Sequence, residues 1–274
     1  MTTYSVMLDA PRELIAYMAR LLHDDRVVRG TRSGTRALTC WKQATFVIVW
    51  FRDRPNVTRL GQGFGIAQAT AYRYLSEGIT VLSAQAPDLH QALERAREAG
   101  LAHLVLDGTL IETDRLRGKK TSRKGKEIDA WYSGKAHHFA GLLQALMNPR
   151  GVPLWISEVL PGSVHDITAA RSQVLADLQP YLRELPVLAD CGYEGAGPGV
   201  YTPVKALRDG YELDIDSRTY NRLLRATRCQ GERGFALLTQ RWTTLQHVTP
   251  SPRRIGKIAR AALVLTHFEH RIIT

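Results

Sequence analysis

Leu104 to Ile111 reads LVLDGTLI, an apolar run interrupted by one carboxylate, Asp107. Burying an ion inside such a run costs several kcal/mol unless the charge is paired or holds a metal ion. An aspartate before a glycine is also a common way to end a strand or open a turn. The arrangement recurs in Val187 to Gly195 (VLADCGYEG), where an apolar run again ends in an aspartate, Asp190, followed shortly by glycine. Two strands ending this way would set both carboxylates at one sheet edge. A third acid, Glu232 in RCQGERGFALL, stands on a helical stretch able to pack across them. Three carboxylates are hard oxygen donors suited to Mg²⁺ or Mn²⁺, ions that also bind water and phosphate oxygen.

Other groups near these motifs are open to more than one reading. His165 and Asp166 are an adjacent imidazole and carboxylate that could tune such a site, while Asp166 also reads as the cap of a helix starting at Ile167. His137 and His138 have no partner pair at zinc spacing and read as surface or strand residues. Cys191 directly follows Asp190 but has no base assigned to it, and packing is the better reading. The three cysteines, Cys40, Cys191 and Cys229, are scattered and odd in number, so reduced thiols are expected. Arg115 to Lys126 (RLRGKKTSRKGK) packs Arg115, Arg117, Lys119, Lys120, Arg123, Lys124 and Lys126 into twelve residues. This run reads either as a solvated hairpin or as a loop lying along a phosphate backbone. Arg253, Arg254, Lys257 and Arg260 make a weaker case of the same kind.

The elements that must carry these groups differ between the two parts of the chain. Residues 1–100 read as helical: Pro11 to His23 and Leu38 to Phe51 repeat apolar residues at three and four, with a polar connector from Asp24 to Thr35 between them. A further helix runs from Pro87 to Ala99 and stops at Gly100. Val57 to Ser76 fits a helix-turn-helix register. Gly65 stands at the turn, Leu60, Gly61, Phe64, Ile66, Ala71 and Tyr74 where the helices touch, and Gln68, Tyr72, Arg73 and Ser76 outward, toward a DNA groove or its phosphates. The same pattern also fits an ordinary helical hairpin. Beyond Gly100, short apolar runs at Ala102–Leu110, Phe139–Met147, Val152–Val159 and Leu185–Ala189 read as strands. Helices are expected over Val164–Arg183 and Arg218–Leu245. The outcome is an α/β domain over residues 101–274, a mixed sheet with flanking helices, preceded by an all-α domain over residues 1–100.

Composition narrows the partners. No apolar run approaches the roughly 20 residues that span a bilayer. Met1 to Ala10 does not read as a secretory signal, so a bacterial, nucleoid-associated cytoplasmic protein is the expectation. A formal net charge of +11 suits an anionic polymer. Arginine outnumbers lysine 29 to 8, which favours bidentate phosphate contacts, although codon bias gives the same excess.

Taken in order, these motifs resemble the DDE superfamily endonucleases of insertion-sequence and Harbinger-like transposases, over nearly the whole chain. LDGT carries the first acid, Asp107, ADCGYEG the second, Asp190, and the long helix the third, Glu232, at intervals of 83 and 42 residues. The phrase PGSVHDITAAR, Pro161 to Arg171, also matches that group. Around the third acid Arg228 fits the pattern of such transposases, whereas Arg225 and Thr239 replace the usual Tyr and Lys. The resemblance implies a ribonuclease H-like catalytic domain holding two Mg²⁺ or Mn²⁺ ions, with Asp107 bridging both and Asp190 and Glu232 each completing one. It also implies cleavage of transposon-end DNA, transfer of the freed 3′-hydroxyl to target DNA, and a homodimer or higher assembly on double-stranded DNA. A domesticated, catalytically silent DNA-binding regulator is the alternative, and the presence of all three acids argues against it.

Overall fold

In a computed structural model the chain is described over residues 7–114, 116, 118–121, 125–206 and 212–272, without the side chains of Gln230 and Glu232. The helices are α1 (Arg12–Val28), α2 (Cys40–Asp53), α3 (Val57–Gly63), α4 (Gln68–Ser83), α5 (Leu89–Glu98), α6 (Asp166–Gln173), α7 (Leu175–Leu178), α8 (Ile215–Thr239) and α9 (Ile255–Glu269). The strands are β1 (Leu104–Thr113), β2 (Lys119–Thr121), β3 (Glu127–Asp129), β4 (Tyr132–Ser133), β5 (His138–Met147), β6 (Pro153–Ile156), β7 (Leu160–Pro161), β8 (Val187–Ala189), β9 (Val200–Tyr201) and β10 (His247–Val248). No helix among the described residues is long and apolar enough to cross a membrane.

Two compact units result, one of residues 1–86, 239–245 and 257–274, the other of residues 87–238 and 246–256. The division between them falls before α5. Leu89, Ala92, Leu93 and Ala96 of that helix share one apolar cluster with Leu104 and Leu106 of β1. A reciprocal cap fixes where α5 begins: the Gln91 amide donates to Asp88 at 2.8 Å, and the Asp88 amide donates to Gln91 at 3.2 Å.

In the first unit Leu14, Met18 and Leu22 of α1 and Phe46, Val47 and Ile48 of α2 are buried. Helix α1 runs to Val28, through residues expected as a polar connector. Arg26 explains the extension, since its guanidinium donates to Gln43 at 2.6 Å and to the Leu38 carbonyl at 3.2 Å. Helix α3 ends in a Schellman turn: the Ile66 amide donates to the Gly61 carbonyl at 2.9 Å and the Gly65 amide to the Gln62 carbonyl at 3.0 Å. That turn needs a left-handed residue, and Gly65 has φ +68°. Helix α4 then lies close to α3, because a Cβ at Gly61 would sit 2.8 Å from the Ala71 Cβ.

The second unit is built on a mixed eight-stranded sheet. Strand β1 runs antiparallel to β5, parallel to β8 over Leu104–Leu106, and parallel to β10 at Glu112 and Thr113. Strand alternation sends Leu104, Leu106 and the Gly108 position to the face holding the apolar cluster of α5, α6, α7, Tyr181 and Tyr193. Val105 and Asp107 face the other way, toward α8, where a Cβ at Gly231 would lie 2.8 Å from the Val105 Cγ1. The single helix expected over residues 164–183 is broken into α6, α7 and a 3₁₀ turn, Gln179–Tyr181. The break falls at Val174, whose φ of −130° leaves the helical region, and Pro180 follows. Of the strand expected over residues 152–159 only β6 forms, paired with β5, and β7 pairs with β5 just beyond that range.

Candidate active site

Register brings the two aspartates together. In the parallel pair of β1 and β8, Leu106 is opposite Ala189, so Asp107 and Asp190 are the next residues along adjacent strands. β8 ends there, and the Asp190 carboxylate caps the following 3₁₀ turn, accepting from the Gly192 amide at 2.7 Å. Asp107 accepts from the Gly108 amide at 2.9 Å. Its other oxygen lies 3.5 Å from an Arg228 nitrogen, and both side chains are mostly buried.

Helix α8 approaches this edge through residues that leave room for it. Leu224, Arg228, Gly231, Gly234 and Leu238 recur at three- and four-residue spacing, which keeps them on one helix face. A Cβ at Gly231 would lie 3.8 Å from the Asp107 Oδ2, and one at Gly234 would collide with Met147. The long helix starts at a strong cap, with the Ser217 amide and hydroxyl donating to Asp214 at 2.8 and 2.7 Å. Glu232 follows Gly231 and stands one turn beyond Arg228 on the same helix.

A third aspartate joins from the opposite face of the sheet. Asp166 does not cap a helix beginning at Ile167. It is itself the first residue of α6, and His165 at the cap position forms no side-chain cap bond. Its backbone carbonyl accepts from the buried Gln144 side chain at 2.7 Å, which ties α6 to β5. Its carboxylate lies over two glycines: Oδ1 is 2.6 Å from where a Cβ at Gly108 would be, and Oδ2 is 3.1 Å from that of Gly192. A cleft of about 290 Å³ opens beside it, lined in part by Lys135, Ser163, Val164 and His165.

Charge is concentrated here at low solvation. Burial raises the pKa of Asp107 to about 6; the Gly108 amide and Arg228 pull it down, and Asp190 and Asp166 push it further up. Burial, then Asp190, also raises Asp166, against the pull of Lys135 and His165. Tyr193 is pushed up by burial and then by the same carboxylates. Among the described residues no three acids or imidazoles stand close enough to enclose a metal ion as they are placed. The donor chemistry nonetheless suits a hard divalent cation: desolvated carboxylate oxygens that Arg228 and Lys135 offset only in part.

The remaining expected residues are spread over both units. Gln68, Tyr72 and Arg73 are exposed on α4 and Ser76 is half-buried, while Ala71, Tyr74 and Leu75 point inward. Lys119 pairs with Asp129 across the β2–β3 hairpin at 2.8 Å, and Lys120 donates to the Ser163 carbonyl at 3.3 Å. Lys126 follows on the exposed side of the same hairpin, and Arg115, Arg117, Arg123 and Lys124 lie outside the described residues. Cys191 is exposed rather than packed, because the turn after β8 buries Tyr193 in its place. Sequence reasoning missed Tyr193 and the space over Gly108; the signal was the recurrence of glycine just after each aspartate in LDGT and ADCGY.

No curated protein and no solved structure matches the chain. Residues 106–267, more than half of its length, match the family model of the DDE superfamily endonucleases and include Asp107, Asp166, Asp190 and Glu232, and the chain belongs to that family.

Proposed function

We propose that this chain is a transposase that cuts transposon ends with Asp107, Asp190 and Glu232 and reads their terminal inverted repeats through the α3–α4 pair. The observation carrying the catalytic half is the β1–β8 register, which makes Asp107 and Asp190 neighbours on adjacent strands beneath α8. Asp107, Asp190 and Glu232 would hold two Mg²⁺ or Mn²⁺ ions. Such ions activate a water or 3′-hydroxyl near neutral pH and stabilise the leaving oxygen. The chain's own groups orient the DNA: the Arg228 guanidinium beside Asp107 offers donors to a phosphate, and Lys135 and His165 line the cleft that a strand would enter. Lys119, Lys120 and Lys126, with the basic residues around them, would track the backbone.

The Schellman turn at Gly65 and the outward set Gln68, Tyr72, Arg73 and Ser76 support the helix-turn-helix reading. Joining two ends and a target requires assembly of at least two copies on double-stranded DNA.

The test is strand cleavage and transfer on labelled end DNA with Mg²⁺. Asp107→Ala, Asp190→Ala and Glu232→Ala are each expected to lower the rate by at least about 1000-fold, the scale of losing electrostatic stabilisation of a reacting centre. Undiminished nicking in any of the three removes that residue from the site.

A further inference from the structure

The space above Gly108 and Gly192 is filled by one side chain. Asp166 Oδ1 and the Tyr193 hydroxyl lie 2.6 and 3.2 Å from the point where a Cβ at Gly108 would stand. At Gly192 the same construction finds Asp190 Oδ1 at 2.8 Å and Asp166 Oδ2 at 3.1 Å. The Asp166 carboxylate therefore spans from the Asp107-Gly108 step of β1 to the Asp190 turn. It does so only because neither glycine carries a side chain. Tyr193 is fully buried, at 0% exposure, and among the described residues its hydroxyl has no hydrogen-bond partner although it points into this group of carboxylates. Such an orphaned hydroxyl costs about 1–3 kcal/mol unless a ligand or a rearranged carboxylate satisfies it. Among the described residues the cations set against these acids include Arg228 on the Asp107 side, Lys135 on the Asp166 side and Lys205 toward Asp190.

We propose that Asp166 is a further oxygen ligand of the divalent cation site and that Tyr193 is a positioning residue whose hydroxyl orients it. The proposal rests on the reading of Asp107 and Asp190 as cation ligands. It departs from the three-acid pattern by adding a carboxylate that reaches the site from the opposite face of β1. Two observations support it: a hard donor close to Asp107 and Asp190, and beside it a buried hydroxyl that a reoriented carboxylate would satisfy. With a cation bound, the Tyr193 hydroxyl would donate to the Asp166 oxygen not engaged by it.

Mn²⁺ alone, titrated into the full-length chain without DNA and followed by the electron paramagnetic resonance of the free ion, separates the outcomes. Asp166→Asn is expected to weaken Mn²⁺ binding by 10-fold or more, with Asp166→Glu recovering part of the loss. Tyr193→Phe is expected to raise the thermal midpoint of the metal-free chain, since the orphaned hydroxyl is gone, yet to weaken Mn²⁺ binding several-fold. A purely structural role would not produce that crossing. Asp107→Asn is the reference. If it loses Mn²⁺ binding while Asp166→Asn keeps wild-type affinity, Asp166 is no ligand and the reading of the other acids stands. If both keep wild-type affinity, the cation site itself is misplaced. Wild-type affinity in Tyr193→Phe removes the positioning role.

Discussion

At the scale of single residues the site is defined by a carboxylate largely withdrawn from solvent and glycines that make room for others. Asp107 has a folded-state pKa near 6 against an ordinary value of 3.8, so the folded chain holds its proton more tightly than the unfolded one. Its contribution to stability is therefore present below pH about 4 and lost as pH rises through about 6. Asp107→Asn keeps an acceptor for the Gly108 amide and removes the buried charge. It should raise the thermal midpoint by roughly 5 °C at pH 7 to 8, on the order of 2 kcal/mol, and change it little near pH 4. Equal shifts at both pH values in a calorimetric scan would count against a desolvated Asp107. Asp107 and Asp190 were legible in the sequence because each interrupts or ends an apolar run. Asp166 was legible only as a candidate, since its local context, a polar residue ahead of a helix, is the same for a cap and for a site carboxylate.

At the scale of elements, α8 and α4 make the contacts that matter through small residues. Gly234 faces Met147 and the Gly151 carbonyl, the latter 2.7 Å from where a Cβ would be, whereas Gly63 at the end of α3 has open space around it. Both are helical, so replacement by alanine gains about 1 kcal/mol of propensity in each. At Gly234 the overlap with backbone outweighs that gain. Gly234→Ala should destabilise its unit by about 1–2 kcal/mol, while Gly63→Ala should be neutral or stabilising. Denaturant melts of the two variants check the pair, and stabilisation by Gly234→Ala would mean that α8 does not pack closely on β5. On α4 the exposed Arg73 makes a local bond to Thr70 at 3.1 Å. Arg73→Ala should weaken binding to end DNA by about 10-fold or more and binding to random duplex by less. Equal losses, measured by fluorescence anisotropy, would leave Arg73 as a phosphate contact. The hydrophobic spacing announced these helices, but not the run of α1 to Val28 or the break at Val174. Both depend on partners distant in sequence or on a backbone angle that no pattern of apolar residues encodes.

At the scale of the whole molecule the excess of 11 positive charges governs any encounter with DNA. Binding to unrelated duplex should fall by about 100-fold between about 50 and 200 mM salt, as expected when three or four phosphates are neutralised. A salt-independent affinity would show that this charge does not face DNA. The strand and helix alphabet of residues 87–256 followed from composition and period, and the family match begins within β1. The sheet order did not follow: the pairing of β1 with β8 joins residues more than 80 positions apart, and only chain topology decides it. That pairing also fixes an address. Strand β1 is gripped on one side by β5 along most of its length and on the other by β8 and β10 at its two ends. One extra amino acid inserted between Leu104 and Leu106 would turn every later side chain of the strand to the wrong face, carrying Asp107 away from α8 and burying it against the apolar cluster. Residues along this strand can be exchanged one for one, but an odd-numbered insertion ahead of Asp107 would not leave it facing α8.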